Sequence, residues 1–153
     1  MSDDFFTQWQ TMERNESETY EGVCHCGTVR YTVTLNPPLP RQKVASCNCS
    51  ICLRNGYLLV YPNRDQVAIK SGEEALKTYS FGRMRNLHKF CAHCGSNVFF
   101  DPRMQEFGDG PPGLDFLGVN VRMFKGVKLE KLDMVLIDGW SKFPFLDDTS
   151  HLH

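Results

Sequence analysis

The sequence predicts one mainly β domain assembled from many short strands. Three observations carry this expectation. Short segments alternate apolar and polar residues and are rich in β-branched and aromatic side chains, as in Val29–Leu35. Turn formers such as Asn36-Pro37-Pro38, Asn55-Gly56 and Pro62-Asn63 cut the chain into pieces too short for long helices. The 153 residues hold no internal repeat, low-complexity block or inter-domain linker, and the length suits one domain of roughly 100–200 residues.

Along the chain, residues 1–19 read as an N-terminal arm or a short helix. Phe5, Trp9 and Met12 fall at i, i+4 and i+7, and Asp3 and Asp4 favour a helix start. From Tyr20 the signals turn to β. Val29–Leu35 is the first clear strand, and Tyr57–Tyr61 is an apolar run after the Asn55-Gly56 turn. Val67–Lys70 and Leu76–Phe81 are further strands, separated by Ser71-Gly72-Glu73-Glu74. Asn86–Phe90 and Asn97–Phe100 flank a cysteine pair and read as a hairpin. Residues 102–113, rich in Gly and Pro, read as a structureless loop, either a lid or an insert. Leu117–Val121 and Met134–Ile137 complete the strands, and Leu129–Leu132 reads as a helical turn. Residues 141–153 read as a polar tail.

Charge and hydropathy narrow the function classes. Lys and Arg number 17 against 18 Asp and Glu, so no bulk positive charge favours nucleic acid or an anionic membrane. The longest apolar run has five residues, far short of the ~20 of a transmembrane helix. The start, Met1-Ser2-Asp3-Asp4, lacks the basic residues and apolar core of a signal peptide, and the expected compartment is the cytoplasm.

Seven cysteines form three clusters: Cys24-His25-Cys26, Cys47-Asn48-Cys49-Ser50-Ile51-Cys52 and Cys91-Ala92-His93-Cys94. An odd number cannot pair fully as disulfides, and in a reducing compartment clustered thiols point to metal or catalysis. A C-x-C on extended backbone directs both thiolates to one side, and a C-x-x-C does so across a turn. Gly27 and Gly95, directly after two of the clusters, permit positive φ there. Zinc takes four ligands in a structural site and three plus an open position in a catalytic one. The two pairs, Cys24/Cys26 and Cys91/Cys94, add up to a closed site, and the triplet Cys47/Cys49/Cys52 keeps a vacant position. An alternative gives the triplet His25, His88 or His93 as its fourth ligand. Two Zn2+ per chain are expected.

These residues carry a resemblance. Cys24-His25-Cys26-Gly27 with Val29-Arg30-Tyr31, the triplet Cys47–Cys52 with Ser50, and Phe90-Cys91-Ala92-His93-Cys94-Gly95 resemble the glutathione-dependent formaldehyde-activating enzyme/CENP-V family. The resemblance covers residues 20–140. It implies a zinc-pinned β-tent of small antiparallel sheets, with 1–19 as arm or helix and 141–153 as tail. It also implies that Cys24, Cys26, Cys91 and Cys94 hold a structural zinc and Cys47, Cys49 and Cys52 a catalytic one. Many members carry His where this chain has Asn48, and a basic residue where it has Leu53 followed by Arg54.

The activity implied is that of a carbon–sulfur lyase, an S-hydroxymethylglutathione synthase joining a glutathione-type thiol to a small aldehyde. A free thiol, with a pKa near ~8.5, is mostly protonated at neutral pH, and a zinc with a vacant position deprotonates a coordinating thiol. Zinc with three thiolates is net negative and a weak Lewis acid, so a nearby cation would relieve the site. Arg54 is the nearest in sequence, with Arg83, Arg85 and Lys89 further on. Tyr57 is the expected hydrogen-bond donor to an oxyanion. The expected partners are therefore small molecules, not nucleic acid or membrane, and homo-oligomerisation stays open. A non-catalytic zinc-binding interaction module and a zinc or redox buffer are the competing readings.

Overall fold

Alternating burial along short strands sets the architecture. The computed structural model describes residues 4–110 and 112–142. In chain order these form α1 (Asp4–Gln10), β1 (Glu18–Val23), β2 (Arg30–Leu35), β3 (Lys43–Cys47), α2 (Ser50–Asn55), β4 (Leu59–Val60) and β5 (Val67–Ser71). There follow β6 (Leu76–Tyr79), β7 (Leu87–Cys91), β8 (Asn97–Asp101), α3 (Met104–Phe107), β9 (Gly118–Asn120), β10 (Asp133–Ile137) and α4 (Gly139–Lys142). Among the described residues, no helix is long and apolar enough to cross a membrane.

The fold is mainly β, as expected, with two sheets. The smaller is β1-β2-β5, wholly antiparallel. The larger departs from the expected small antiparallel sheets. It has seven strands in the order β10-β3-β4-β9-β8-β7-β6, and β10 runs parallel to β3. The cause is connectivity, since the chain returns to β3 only after a long excursion and enters it from the same end. Cys47 is thereby paired with Ile137, and the segments that follow both strands leave one end of the sheet together.

On β2, Tyr31, Val33 and Leu35 point inward and meet Val44, Val60, Phe99 and Val119 of the large sheet. Tyr31 tilts against Phe99 at 4.9 Å between ring centroids. The opposite side of the large sheet carries a second cluster of Phe5, Ala45, Tyr57 and Leu59. Here α1 packs across β3 and β10 with Phe5 fully buried, so the helical reading of residues 1–19 holds for Asp4–Gln10. The expected tail lies outside the described residues from 143 onward.

Local differences have local reasons. Only Leu59–Val60 of the apolar run Tyr57–Tyr61 is strand. Asn55-Gly56 closes α2 rather than a hairpin, with Gly56 at φ 63° donating its N–H to the Cys52 carbonyl. The segment 102–113 is not structureless, because it contains α3 and is tied down by side chains. Arg85 pairs with Asp109, and Arg103 donates to the carbonyls of Arg85 (2.7 Å) and Met84 (2.7 Å).

Arg64 joins both ends of this segment. It is bidentate to Asp101 at 2.8 and 3.1 Å and reaches Asp115 at 3.0 Å. Burial alone would raise the Asp101 carboxyl, but the Arg64 guanidinium outweighs it and the pKa is lowered. A carboxyl with a depressed folded-state pKa contributes stability above its unfolded value, and that contribution fades as pH falls through the folded one. Arg64→Ala is therefore expected to lower the urea midpoint at pH 7. The gap to the parent chain should narrow below about pH 4, where carboxylates begin to protonate. A gap that is the same at pH 7 and pH 3 would remove the ion pair as its cause.

Candidate metal centre

The first cluster sits in a turn rather than on extended backbone. The Gly27 N–H bonds the Cys24 carbonyl at 3.0 Å and the Cys24 N–H bonds the Val29 carbonyl at 3.1 Å, curling Cys24–Cys26 back on itself. The third cluster is the β7–β8 turn, where Gly95 at φ 79° donates to the Cys91 carbonyl at 2.8 Å. The two turns face each other, and the His25 N–H reaches Ser96 Oγ at 3.1 Å. Cys24, Cys26, Cys91 and Cys94 thus bring four sulfurs within 4.8 Å of one another. Four thiolates placed tetrahedrally around zinc at about 2.3 Å would stand about 3.8 Å apart. Cys24 and Cys26 are 3.7 Å apart and Cys26 and Cys91 3.8 Å, so the donor set fits that ion. Cys24 and Cys91 are buried in the main core shared by the small and the large sheet.

The triplet is built differently. Cys47 ends β3, Cys49 precedes the first turn of α2, and Cys52 lies in that turn. The strand-to-helix switch gathers their sulfurs within 4.8 Å of one another. Cys47 is lowered to about 3 by hydrogen bonds from the Cys49 and Cys52 thiols, with backbone N–H groups of Cys49 and Gly139 adding to the effect. The same contacts push Cys52 and Cys49 up. Three thiolates cannot share this space without a cation, so the trio suits a metal. Among the described residues, no histidine or carboxylate joins either group. That argues against a histidine fourth ligand: His25 and His93 are exposed, and His88 lines the same cavity as the triplet without joining its group of sulfurs.

Only the triplet opens on the large cavity. Cys47, Cys49 and Cys52 line a space of about 660 Å³ on the α1 side of the large sheet. Its walls are mainly apolar, with the rings of Phe6, Tyr61, Phe81, Phe100, Phe116 and Trp140 drawn from separate segments. None of the four sulfurs of the other cluster faces it.

His88 lines the cavity from the middle of a cross-strand row, between Tyr79 on β6 and Phe100 on β8. The rings of Phe100 and Phe81 stack on it at 5.4 and 5.6 Å. Its Nδ1 is 3.1 Å from the Tyr57 hydroxyl, and its buried Nε2 has no partner. Burial lowers the imidazole to about 4 and raises Tyr57 to about 12, so both are neutral at pH 7. The expected Tyr57 therefore reaches the site through His88 and does not itself line the cavity. Arg54 is exposed, donates to the Ser50 carbonyl at 3.2 Å and lies outside the cavity lining. Arg83 and Arg85 do line it. Arg85 is held by Asp109, by the Pro102 carbonyl at 3.2 Å and over the Phe107 ring.

Asn48, between two triplet cysteines, ties the site to the chain's later segment. Its side chain donates to Asp138 at 3.1 Å and accepts the Trp140 N–H at 2.9 Å. Its own N–H bonds the Ile137 carbonyl at 3.0 Å. Trp140 is thus fixed as a wall of the cavity by the parallel β3–β10 register, which nothing in the local sequence announces.

Comparison with known proteins identifies relatives of the chain. The family model for glutathione-dependent formaldehyde-activating enzymes matches residues 19–109, which include all seven cysteines. A Halomonas elongata protein, provisionally named a glutathione-dependent formaldehyde-activating enzyme, is 32% identical over 96 residues. That match covers 56% of this chain and 59% of the relative's length. A crystal structure of a Rhodobacter sphaeroides protein, from structural genomics, superposes with a TM-score of 0.61 at 29% identity. It covers 76% of this chain and 98% of that one. The chain belongs to the glutathione-dependent formaldehyde-activating enzyme family.

Proposed function

We propose that the chain is a zinc-dependent carbon–sulfur lyase that reversibly joins a glutathione-type thiol to an aldehyde. One observation supports this most directly. Three convergent thiols with no fourth protein ligand among the described residues open on a cavity of about 660 Å³, while the four-thiol cluster does not. The proposed division gives Cys24, Cys26, Cys91 and Cys94 a structural zinc and Cys47, Cys49 and Cys52 a second, reactive one. The domain in this reading runs over 20–140, with 1–19 lending Phe5 and Phe6 and 141–153 as tail.

Zinc held by the triplet would supply the charge that keeps a substrate thiol ionised. The protein's part is placement and proton handling. The aromatic walls exclude water and raise the strength of each polar contact inside. We assign Tyr57 as the donor to Nδ1 of His88, the tautomer that leaves the imidazole proton on Nε2. That N–H is the group we assign to the aldehyde oxygen as it gains charge. An unpartnered buried donor costs about 1–3 kcal/mol, which a bound oxygen would recover.

The test is a zinc-loaded protein titrated with a panel of thiols, read by thermal shift and by exchange NMR of hemithioacetal formation. Stabilisation by a glutathione-type thiol and zinc-dependent exchange are expected. No response to any thiol would overturn the reading in favour of a non-catalytic module.

A further inference from the structure

The cavity is far larger and more apolar than a one-carbon aldehyde requires. At about 660 Å³ it matches sites for ligands with a substantial apolar body, typically ~300–1,000 Å³. Phe6, Phe81, Phe100, Phe116 and Trp140 face it, and formaldehyde would leave nearly all of that surface unused. The thiol leaves the aromatic part of the wall uncovered. Glutathione carries two carboxylates and an ammonium, which seek the polar lining such as Arg83, Arg85 and Asn86 and not aromatic rings. The cationic lining is Arg83, which is exposed, and Arg85, already bound by Asp109. The triplet and these rings line one cavity, so an apolar group attached to the reacting carbon would lie among the rings.

We infer that the aldehyde substrate carries an aryl or arylalkyl group, which packs against Phe81, Phe100 and Trp140 while its carbonyl lies between the triplet and His88. This rests on the lyase reading above and specifies its substrate class. The step is balanced without a co-reactant. The thiol sulfur bonds to the carbonyl carbon, the C=O π bond opens, and the thiol proton ends on the oxygen. Reversal releases thiol and aldehyde. These rings select by area buried, at roughly 25 cal/mol per Å² of apolar surface, and by ring stacking.

The experiment compares phenylacetaldehyde, acetaldehyde and formaldehyde with glutathione on zinc-loaded protein. Each rate is expressed over its own uncatalysed rate, which removes the differences in intrinsic reactivity. The enhancement for phenylacetaldehyde should exceed that for formaldehyde by about tenfold or more, equivalent to about 1.4 kcal/mol. A second readout needs no turnover: the unreactive alcohol 2-phenylethanol should change the tryptophan fluorescence and ethanol should not, and Trp140→Phe should remove the change. Phe81→Ser should weaken 2-phenylethanol binding and lower the phenylacetaldehyde-to-formaldehyde ratio of enhancements. Equal enhancement for all aldehydes, with no 2-phenylethanol signal, would overturn the substrate class and leave the lyase reading standing. Binding of 2-phenylethanol without acceleration of any aldehyde would overturn the lyase reading, and the aldehyde assignment with it.

Discussion

Replacing Cys91 by alanine is expected to abolish the cooperative thermal transition of the zinc-loaded protein. Cys91 is fully exposed to neither solvent nor cavity; its sulfur lies in the core, within 4.8 Å of Cys24, Cys26 and Cys94. Those four residues come from turns more than sixty positions apart, and in the proposed reading their zinc fixes the small sheet against the large one. Binding of zinc to a structural site is worth about 10–16 kcal/mol in small domains. A domain's whole stability is about 5–15 kcal/mol, so losing this site is comparable with losing the fold. The measurement is a melt by circular dichroism with zinc counted in parallel. A variant that still melts cooperatively near the parent temperature would show that the four cysteines are not a structural clamp.

Cys49→Ala should do the opposite. Cys49 is half-buried, makes no side-chain cap to α2, and lies outside both core clusters. Its loss removes one small side chain, at a cost within the ordinary ~0.5–3 kcal/mol of a point substitution. The fold should persist. Zinc content should fall from two per chain to one, and zinc-dependent exchange should fall by more than about 100-fold, since even changes to the groups supporting a metal ligand cost ~10–100-fold. The contrast between the two variants is the informative quantity. If Cys49→Ala unfolds the chain as Cys91→Ala does, the division into clamp and reactive site fails.

The same contrast separates what was legible along the chain from what was not. β2, β5, β6, β7 and β8 follow from alternation and turn residues, since a half-buried strand repeats every two residues. β3 was hidden because Lys43–Cys47 is short and runs straight into the triplet. α2 was hidden because six residues containing cysteine and Asn have little helical propensity of their own. Its helical form comes from packing against β3 and from the Gly56 cap. The 102–113 segment looked unstructured because its order comes from distant arginines, Arg64 and Arg85, whose targets cannot be read from charge alone.

By itself the sequence determined the family, the mainly β class and the partition of seven cysteines into four and three. Those properties reside in local spacing and residue type, which survive without knowledge of the fold. Tertiary structure decided the surroundings of the three. The parallel register of β3 with β10 brings Asn48 to Trp140, cross-strand pairing puts His88 between Tyr79 and Phe100, and Arg54 is left outside. These are contacts between residues dozens of positions apart. The free energy that selects them is burial summed over the whole core, which no single segment encodes.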